Sequence, residues 1–299
     1  MTTTFVIGGT GYIGGALARR LQRDGHTVKV LARSPESVEK IEALGWEPVI
    51  GTLADLDVVK QAASESDAVV WTVMSIDPAE DPEINAAINT MFDALAGTGK
   101  AFVLISGGIV YADTGDGQAD EDFPTDRSDP VSDHVMTREE IVLSGVSRGI
   151  RCVAIRSSLV YGHNGGMFIR GPIDQARADG QTAYVGTGDQ HMSTVHLDDL
   201  VELLVLAQQQ AEAGAIYNAA LQPPVTTRAF ATGVADAAQV STVNAIPTEQ
   251  AYEVLGFFGV ILGKNLSISA EKAHRELGWS PKQPGLIEEL ETGSYHVVG

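Results

Sequence analysis

Three glycines at a spacing of three, Gly8, Gly11 and Gly14, lie within the run Gly8-Gly9-Thr10-Gly11-Tyr12-Ile13-Gly14. A short apolar run ends at this turn and a helical pattern starts after it. In that context glycine permits the tight turn and lets backbone approach a pyrophosphate. The helix N-terminus adds N–H groups and the positive end of its dipole. Gly8, Thr10, Gly11, Tyr12, Ile13 and Gly14 are therefore the expected pyrophosphate-side contacts of a dinucleotide. The next strand ends in Ala32-Arg33-Ser34, where a NAD site carries a carboxylate for the ribose 2′-OH. Arg33 can pair with a 2′-phosphate instead, and Ser34 can add a hydrogen bond. NADP(H) is expected in preference to NAD(H).

The elements that position these residues follow from periodicity. Residues 3–8, 26–32, 46–50, 68–73, 101–106 and 151–156 read as buried strands. Helical patterns fall between them, at 12–23, from Ser34-Pro35-Glu36 onward, and at 55–64, 84–95 and 135–147. Ser34 reads as an N-cap with Pro35 in the first helical position. This alternation implies a parallel sheet covered on both faces. After about residue 160 the rhythm changes: short strands at 183–185 and 215–218 mix with helices at 197–212, 228–240 and 287–291. Residues 112–133, rich in Asp, Gly, Pro and Ser, read as a long acidic loop.

Composition excludes several classes. The 299 residues carry 20 Lys+Arg against 39 Asp+Glu, a net charge of −19. That balance argues against nucleic acid or an anionic membrane surface as a partner. A single Cys excludes an internal disulfide framework and a cysteine zinc site. Cys152 lies in an apolar strand and reads as an inert buried thiol. The uncharged stretch 5–18 is too short and too glycine-rich to span a bilayer, and the N-terminus lacks a basic leader region. A cytoplasmic protein is expected. The seven histidines show no metal-binding spacing, so no metal is expected. His163 and His191 read as loop residues, and His196 as structural. Asp198 and Asp199 suit a helix start.

Further segments carry a resemblance. Residues 8–14 look like a known glycine motif, and residues 70–74 like a segment beside a nicotinamide ribose. Arg156-Ser157-Ser158-Leu159-Val160-Tyr161-Gly162 resembles R-P-x-x-V-Y-G. Val195-His196-Leu197-Asp198-Asp199-Leu200 resembles V-H-V-D-D-L, and Leu277-Gly278-Trp279-Ser280-Pro281 resembles L-G-W-x-P. Together they resemble the extended short-chain dehydrogenase/reductase family, the NAD-dependent epimerase/dehydratase group. The resemblance covers nearly the whole chain. It implies an α/β, Rossmann-type doubly wound parallel sheet with the NADP(H) site in residues 1–160. A smaller substrate lobe is implied mainly in 161–299, with some segments returning to the core. Leu53, Thr72, Val73, Met74, Ser106, Arg138, Ser157 and Leu159 are further implied cofactor contacts, and a homodimer is an implied assembly.

The family's Ser/Thr and Tyr-x-x-x-Lys are not matched. The seven tyrosines stand at 12, 111, 161, 184, 217, 252 and 295, and none has a Lys four residues later. The segment His134-Val135-Met136-Thr137-Arg138 places His134 at the position of the Tyr and Arg138 at that of the Lys. Counting back from Tyr111 puts Gly107 at the hydroxyl position, with Ser106 one residue early. His134 and Arg138 are one helical turn apart on one face.

Three readings follow. The first is an NADPH-dependent ketoreductase. In it His134 acts as the acid, with Arg138 on the ribose hydroxyls and Ser106 on the carbonyl. Alternatively, no side chain acts, and the ketone is protonated by its own neighbouring hydroxyl or by water. The second is a nucleotide-sugar epimerase or dehydratase, which the missing Tyr base opposes. The third is a non-catalytic NADP(H) sensor with a protein partner. The first is preferred, on a bulky, aromatic or polyketide-type ketone of secondary metabolism such as antibiotic biosynthesis. Gly107, Gly108, Met167, Phe168, Met192, Phe257 and Phe258 are the expected walls for that small molecule.

Overall fold

The computed structural model describes residues 2–75 and 77–296. Its strands are β1 (Thr3–Ile7), β2 (Thr27–Ala32), β3 (Glu47–Ile50), β4 (Ala68–Trp71), β5 (Ala101–Gly107), β6 (Arg151–Ser157), β7 (Leu159–Tyr161), β8 (Gln181–Val185), β9 (His191–His196), β10 (Ile216–Ala219), β11 (Leu221–Thr226) and β12 (Thr242–Ile246). The helices over the first half are α1 (Tyr12–Arg23), α2 (Pro35–Ala43), α3 (Leu56–Ser64), α4 (Asp81–Leu95) and α5 (Pro130–Ser144). Those after it are α6 (Met167–Asp179), α7 (Leu197–Gln210), α8 (Thr227–Ala238), α9 (Ala251–Leu255), α10 (Phe257–Gly263), α11 (Glu271–Leu277) and α12 (Leu286–Thr292).

A seven-stranded sheet runs in the order β10-β6-β5-β4-β1-β2-β3. The pairs β1–β2, β1–β4, β2–β3 and β4–β5 are parallel. The order reverses at β1, as in a doubly wound sheet. Strands β1, β4 and β5 are buried because both faces are covered, which explains their continuous apolar runs. Phe5, Ile7, Val69, Trp71, Phe92 and Phe102 anchor this core.

The chain forms two compact units that interleave along the sequence. The first holds Met1–Gly107, Arg127–Arg156 and Val201–Tyr217. The second holds Gly108–Asp126, Ser157–Leu200 and Asn218–Gly299. Its core gathers Tyr161, Ile169, Met192, Phe230, Leu286 and Tyr295. A three-stranded sheet β11-β9-β7 and the parallel pair β12–β8 complete it.

Several elements differ from the periodicity reading, and two of them bear on the argument. Helix α5 starts at Pro130 instead of residue 135, because Asp129 caps it, accepting from the N–H groups of Val131 and Ser132. The Asp-Pro pair is a cap followed by a first-position proline, and its loop-like composition hides it. Helix α6 has no counterpart in the sequence reading, since Gly171 and Pro172 interrupt its pattern.

Candidate active site

The glycine turn joins β1 to α1. Gly8 has φ +86°, a left-handed backbone that disfavours other residues. Gly14 packs under the turn: a Cβ there would lie 2.3 Å from the Gly8 carbonyl oxygen and 2.6 Å from Thr72 Oγ1. Thr72 follows β4 and donates from Oγ1 to the Ile7 carbonyl at 2.8 Å. It ties the turn to the sheet. Gly11 is different. It is exposed, caps α1 without a side-chain bond, and a Cβ there would meet only the Gly8 oxygen at 3.2 Å. The open side of the turn thus lies at Thr10 and Gly11. The turn fits a pyrophosphate, because glycine leaves its outer side clear while Gly8 and Gly14 fill its inner side.

Arg33 is exposed just beyond β2. Ser34 caps α2, where its Oγ accepts from the Ser37 N–H at 3.2 Å. Leu53 is half-buried beyond β3, and Met74 beyond β4 is half exposed. Tyr12 and Ile13 begin α1, both half-buried.

Behind β4 and β5 lies a small niche. Val73, Met74, Ser75, Leu104, Ile105, Ser106, His134, Val135 and Arg138 line a cavity of about 20 Å³, with room for a carbonyl-sized group. The fold therefore brings together the three residues expected to do chemistry, Ser106, His134 and Arg138. It also adds one that sequence reading missed. Asp81, the first residue of α4, accepts a 2.6 Å bond from Arg138 Nη2 through Oδ1. Its Oδ2 lies 3.4 Å from His134 Nδ1. Arg138 Nη2 also lies 3.3 Å from His134 Nε2. Guanidinium is only a donor, so His134 Nε2 can accept from Arg138 where the ring proton is assigned to Nδ1. Nε2 then faces Arg138 as an acceptor. The imidazole and guanidinium are both buried to about nine-tenths, with side-chain exposures of 10% and 8%. No local signal singled out Asp81, which lies three residues ahead of the helix read at 84–95.

Helix α5 is held to the sheet by the next residue. Glu139 takes both Nε (3.1 Å) and Nη2 (2.6 Å) of Arg156 on β6. Arg127, ahead of α5, pairs with Asp133 at 2.8 Å and with Glu140.

The expected substrate walls scatter. Gly107 ends β5 and is buried. Gly108 packs closely in the second unit: a Cβ there would lie 2.5 Å from Ile268 Cδ1. Met192 is 1% exposed and packs within the second unit's core, where β9 is buried from Met192 to His196. Met167 opens α6 and is 75% exposed. Phe168 stacks on Phe258 with ring centroids 5.5 Å apart, and Phe230 meets Phe258 edge-on. Phe257 is half-buried at the start of α10. Ser157 is buried at the end of β6, and Leu159 packs against the second core.

The remaining groups singled out in the sequence are accounted for. Burial pushes the Cys152 thiol up to about 12, consistent with an inert residue. Asp199 is buried and accepts from the Lys282 and Gln283 N–H groups, while its carbonyl accepts from Trp279 Nε1 at 2.8 Å. It thereby anchors residues 279–283; burial raises its pKa. Burial also lowers the pKa of His196. No described helix is long and apolar enough to cross a membrane.

Comparison with known proteins places this geometry. The family described as NAD dependent epimerase/dehydratase matches residues 4–220. An uncharacterized protein of Schizosaccharomyces pombe is 29% identical over 97% of this chain and 99% of its own length. A protein of Stigmatella aurantiaca named 4-hydroxy-2-methyl-3-oxo-4-farnesyl-3,4-dihydroquinoline-1-oxide ketoreductase is 26% identical, covering 93% of this chain and 91% of that protein. Among solved structures, UDP-glucose 4-epimerase of Thermus thermophilus, in complex with NAD, aligns with a TM-score of 0.76 at 23% identity, covering 99% of this chain and 98% of that one.

Proposed function

The chain belongs to the NAD-dependent epimerase/dehydratase family, and from that premise we propose that it is an NADPH-dependent ketoreductase working without the Tyr-x-x-x-Lys pair. The substrate class is a bulky aromatic ketone whose carbonyl has an activating hydroxyl neighbour. The observation that carries this reading is the niche of Ser106, His134 and Arg138, with Asp81 bound to Arg138. The Stigmatella relative's name supports the substrate class, since it describes a quinoline with a 3-oxo and a 4-hydroxy group.

The cofactor would be held by the open side of the glycine turn at Thr10 and Gly11, and by Arg33 at the 2′-phosphate. Its nicotinamide supplies a hydride when bound. The niche receives the carbonyl among the apolar side chains of Val73, Leu104, Ile105 and Val135. Ser106 Oγ provides a hydroxyl on its wall. Arg138 contributes a fixed cation, held in place by Asp81, that stabilises negative charge developing on the carbonyl oxygen. His134 Nε2 faces Arg138 as an acceptor, so the imidazole shapes the wall and holds its proton on Nδ1 beside Asp81. The proton for the product alkoxide comes from the substrate's own hydroxyl or from water. An epimerase reading would need a base where Tyr is missing. A second reading, a cofactor-binding regulator without turnover, draws support from the exposed apolar side chains of Met167, Tyr252 and Val254.

The test is consumption of NADPH and, in parallel, NADH against hydroxyquinones, aromatic polyketide ketones, simple aryl ketones and nucleotide sugars. Turnover of an aromatic hydroxyketone with NADPH is the expected result. Turnover confined to nucleotide sugars would overturn the reading, and tight NADPH binding with no turnover would favour the regulator.

A further inference from the structure

Away from the niche, the second unit brings two histidines and an aspartate together. His163 Nε2 lies 3.0 Å from each carboxylate oxygen of Asp198. His196 Nδ1 lies 3.9 Å from Asp198 Oδ2, and the His163 and His196 rings sit 5.5 Å apart. Among the described residues, this is the group of three whose ligand atoms all lie within 4.8 Å of one another.

We infer that His163, His196 and Asp198 form a binding site for one borderline divalent cation of the zinc, cobalt or nickel class. Tetrahedral zinc with bonds of about 2.0–2.2 Å sets its ligand atoms roughly 3.4 Å apart. The observed separations of 3.0 and 3.9 Å bracket that edge. Two imidazoles with one carboxylate select borderline metals over calcium or magnesium, which take oxygen ligands. His196 Nδ1 now accepts the Asp198 N–H at 3.1 Å, a bond that ligation would replace.

The site is built on a pinned loop. His163 and Asn164 both hold positive φ, +51° and +54°. On one side, the Gly162 N–H donates to Tyr295 Oη at 2.8 Å. On the other, the Asn164 N–H donates to Ser294 Oγ at 2.6 Å, and Tyr295 Oη donates to the Gly165 carbonyl. Gly162 lies against His196: a Cβ there would sit 2.4 Å from Nε2. The Tyr161 ring closes another side of His196 edge-on at 5.3 Å. His163 and Asp198 remain about half exposed, with side-chain exposures of 59% and 46%, so an ion can enter and keep water in its open position. A bound ion would tie the loop to the start of α7 and stiffen the second unit independently of turnover.

The experiment titrates the untagged full chain with Co²⁺, followed by its visible absorption, and with Zn²⁺ by calorimetry, alongside thermal melts. One ion per chain and a Zn²⁺-dependent rise in Tm are expected. His163→Ala and Asp198→Asn should each weaken binding at least about tenfold and abolish the rise. His274→Ala, at an exposed histidine on α11, should bind as the wild type does. Absence of binding by the wild type, or equal binding by folded His163→Ala and Asp198→Asn proteins, would overturn the inference.

Discussion

The glycine turn and the niche stand in one compact unit but are built in opposite ways. The turn is made by neighbours along the chain: Gly8, Gly11 and Gly14 act within one strand–helix junction, with Thr72, Val73 and Val30 packed against it from the adjoining strands. The niche is made by residues that meet only through space, with Asp81 from α4, Ser106 from β5, and His134 and Arg138 from α5. The difference is one of physical cause. Steric exclusion at a turn is enforced by what a residue lacks, and so it is written in residue type. A charge array is enforced by who meets whom, and so it is written in topology.

The largest test of that contrast concerns support. Glu139→Ala removes both carboxylate bonds that Arg156 Nε and Nη2 make, where both side chains are only about one-twentieth exposed. A loss of about 3–5 kcal/mol, read by chemical denaturation, is expected. A loss near zero would mean that α5, and the niche with it, is held by other contacts.

Within the turn, two glycines should part ways. Gly14→Ala has no space and should cost about 3 kcal/mol of stability. Gly11→Val should leave Tm nearly unchanged yet weaken dinucleotide binding by about a hundredfold, because its side chain occupies the outer side. Equal effects of the two on Tm would erase the distinction between the inner and outer sides of the turn. Arg33→Ala should weaken NADPH binding by about tenfold or more and leave NADH unchanged, as seen by fluorescence titration. Equal weakening of both would remove the 2′-phosphate role.

The niche is tested by His134→Phe. With Nε2 facing Arg138, kcat should fall by less than about tenfold, whereas loss of a general acid costs about a hundredfold or more. The larger loss would return the proton to His134.

The smallest effect lies outside both regions and serves as their control. Burial raises the pKa of Glu121, which accepts the Asn218 N–H at 2.7 Å. A carboxyl with a raised folded pKa contributes stability below its unfolded value of 4.5, and that contribution is lost as pH rises through the folded value. Glu121→Gln should therefore raise Tm by about 1 °C at neutral pH relative to the wild type. The difference should vanish below pH 4.5. A constant difference across pH would assign the effect to packing.

Much of this was legible from residue order. The strands, the turn, the Ser34-Pro35 helix start and the family motifs all rest on neighbours within one or two turns of chain. Helix α6 was hidden by Gly171 and Pro172, and the start of α5 by an Asp-Pro pair in acidic surroundings. Met192 read as a ligand contact because composition does not say which face of a strand is covered.

Residue order by itself determined the parallel sheet, the dinucleotide turn and the loss of Tyr-x-x-x-Lys. These depend on local sterics, on period, or on identity at one position. Tertiary structure decided that Asp81 binds Arg138 beside His134, and that His163 and His196 meet at Asp198. Ion pairing and ligation act across space at a few ångströms, and a one-dimensional pattern holds no record of that distance until the sheet and helices bring distant segments together.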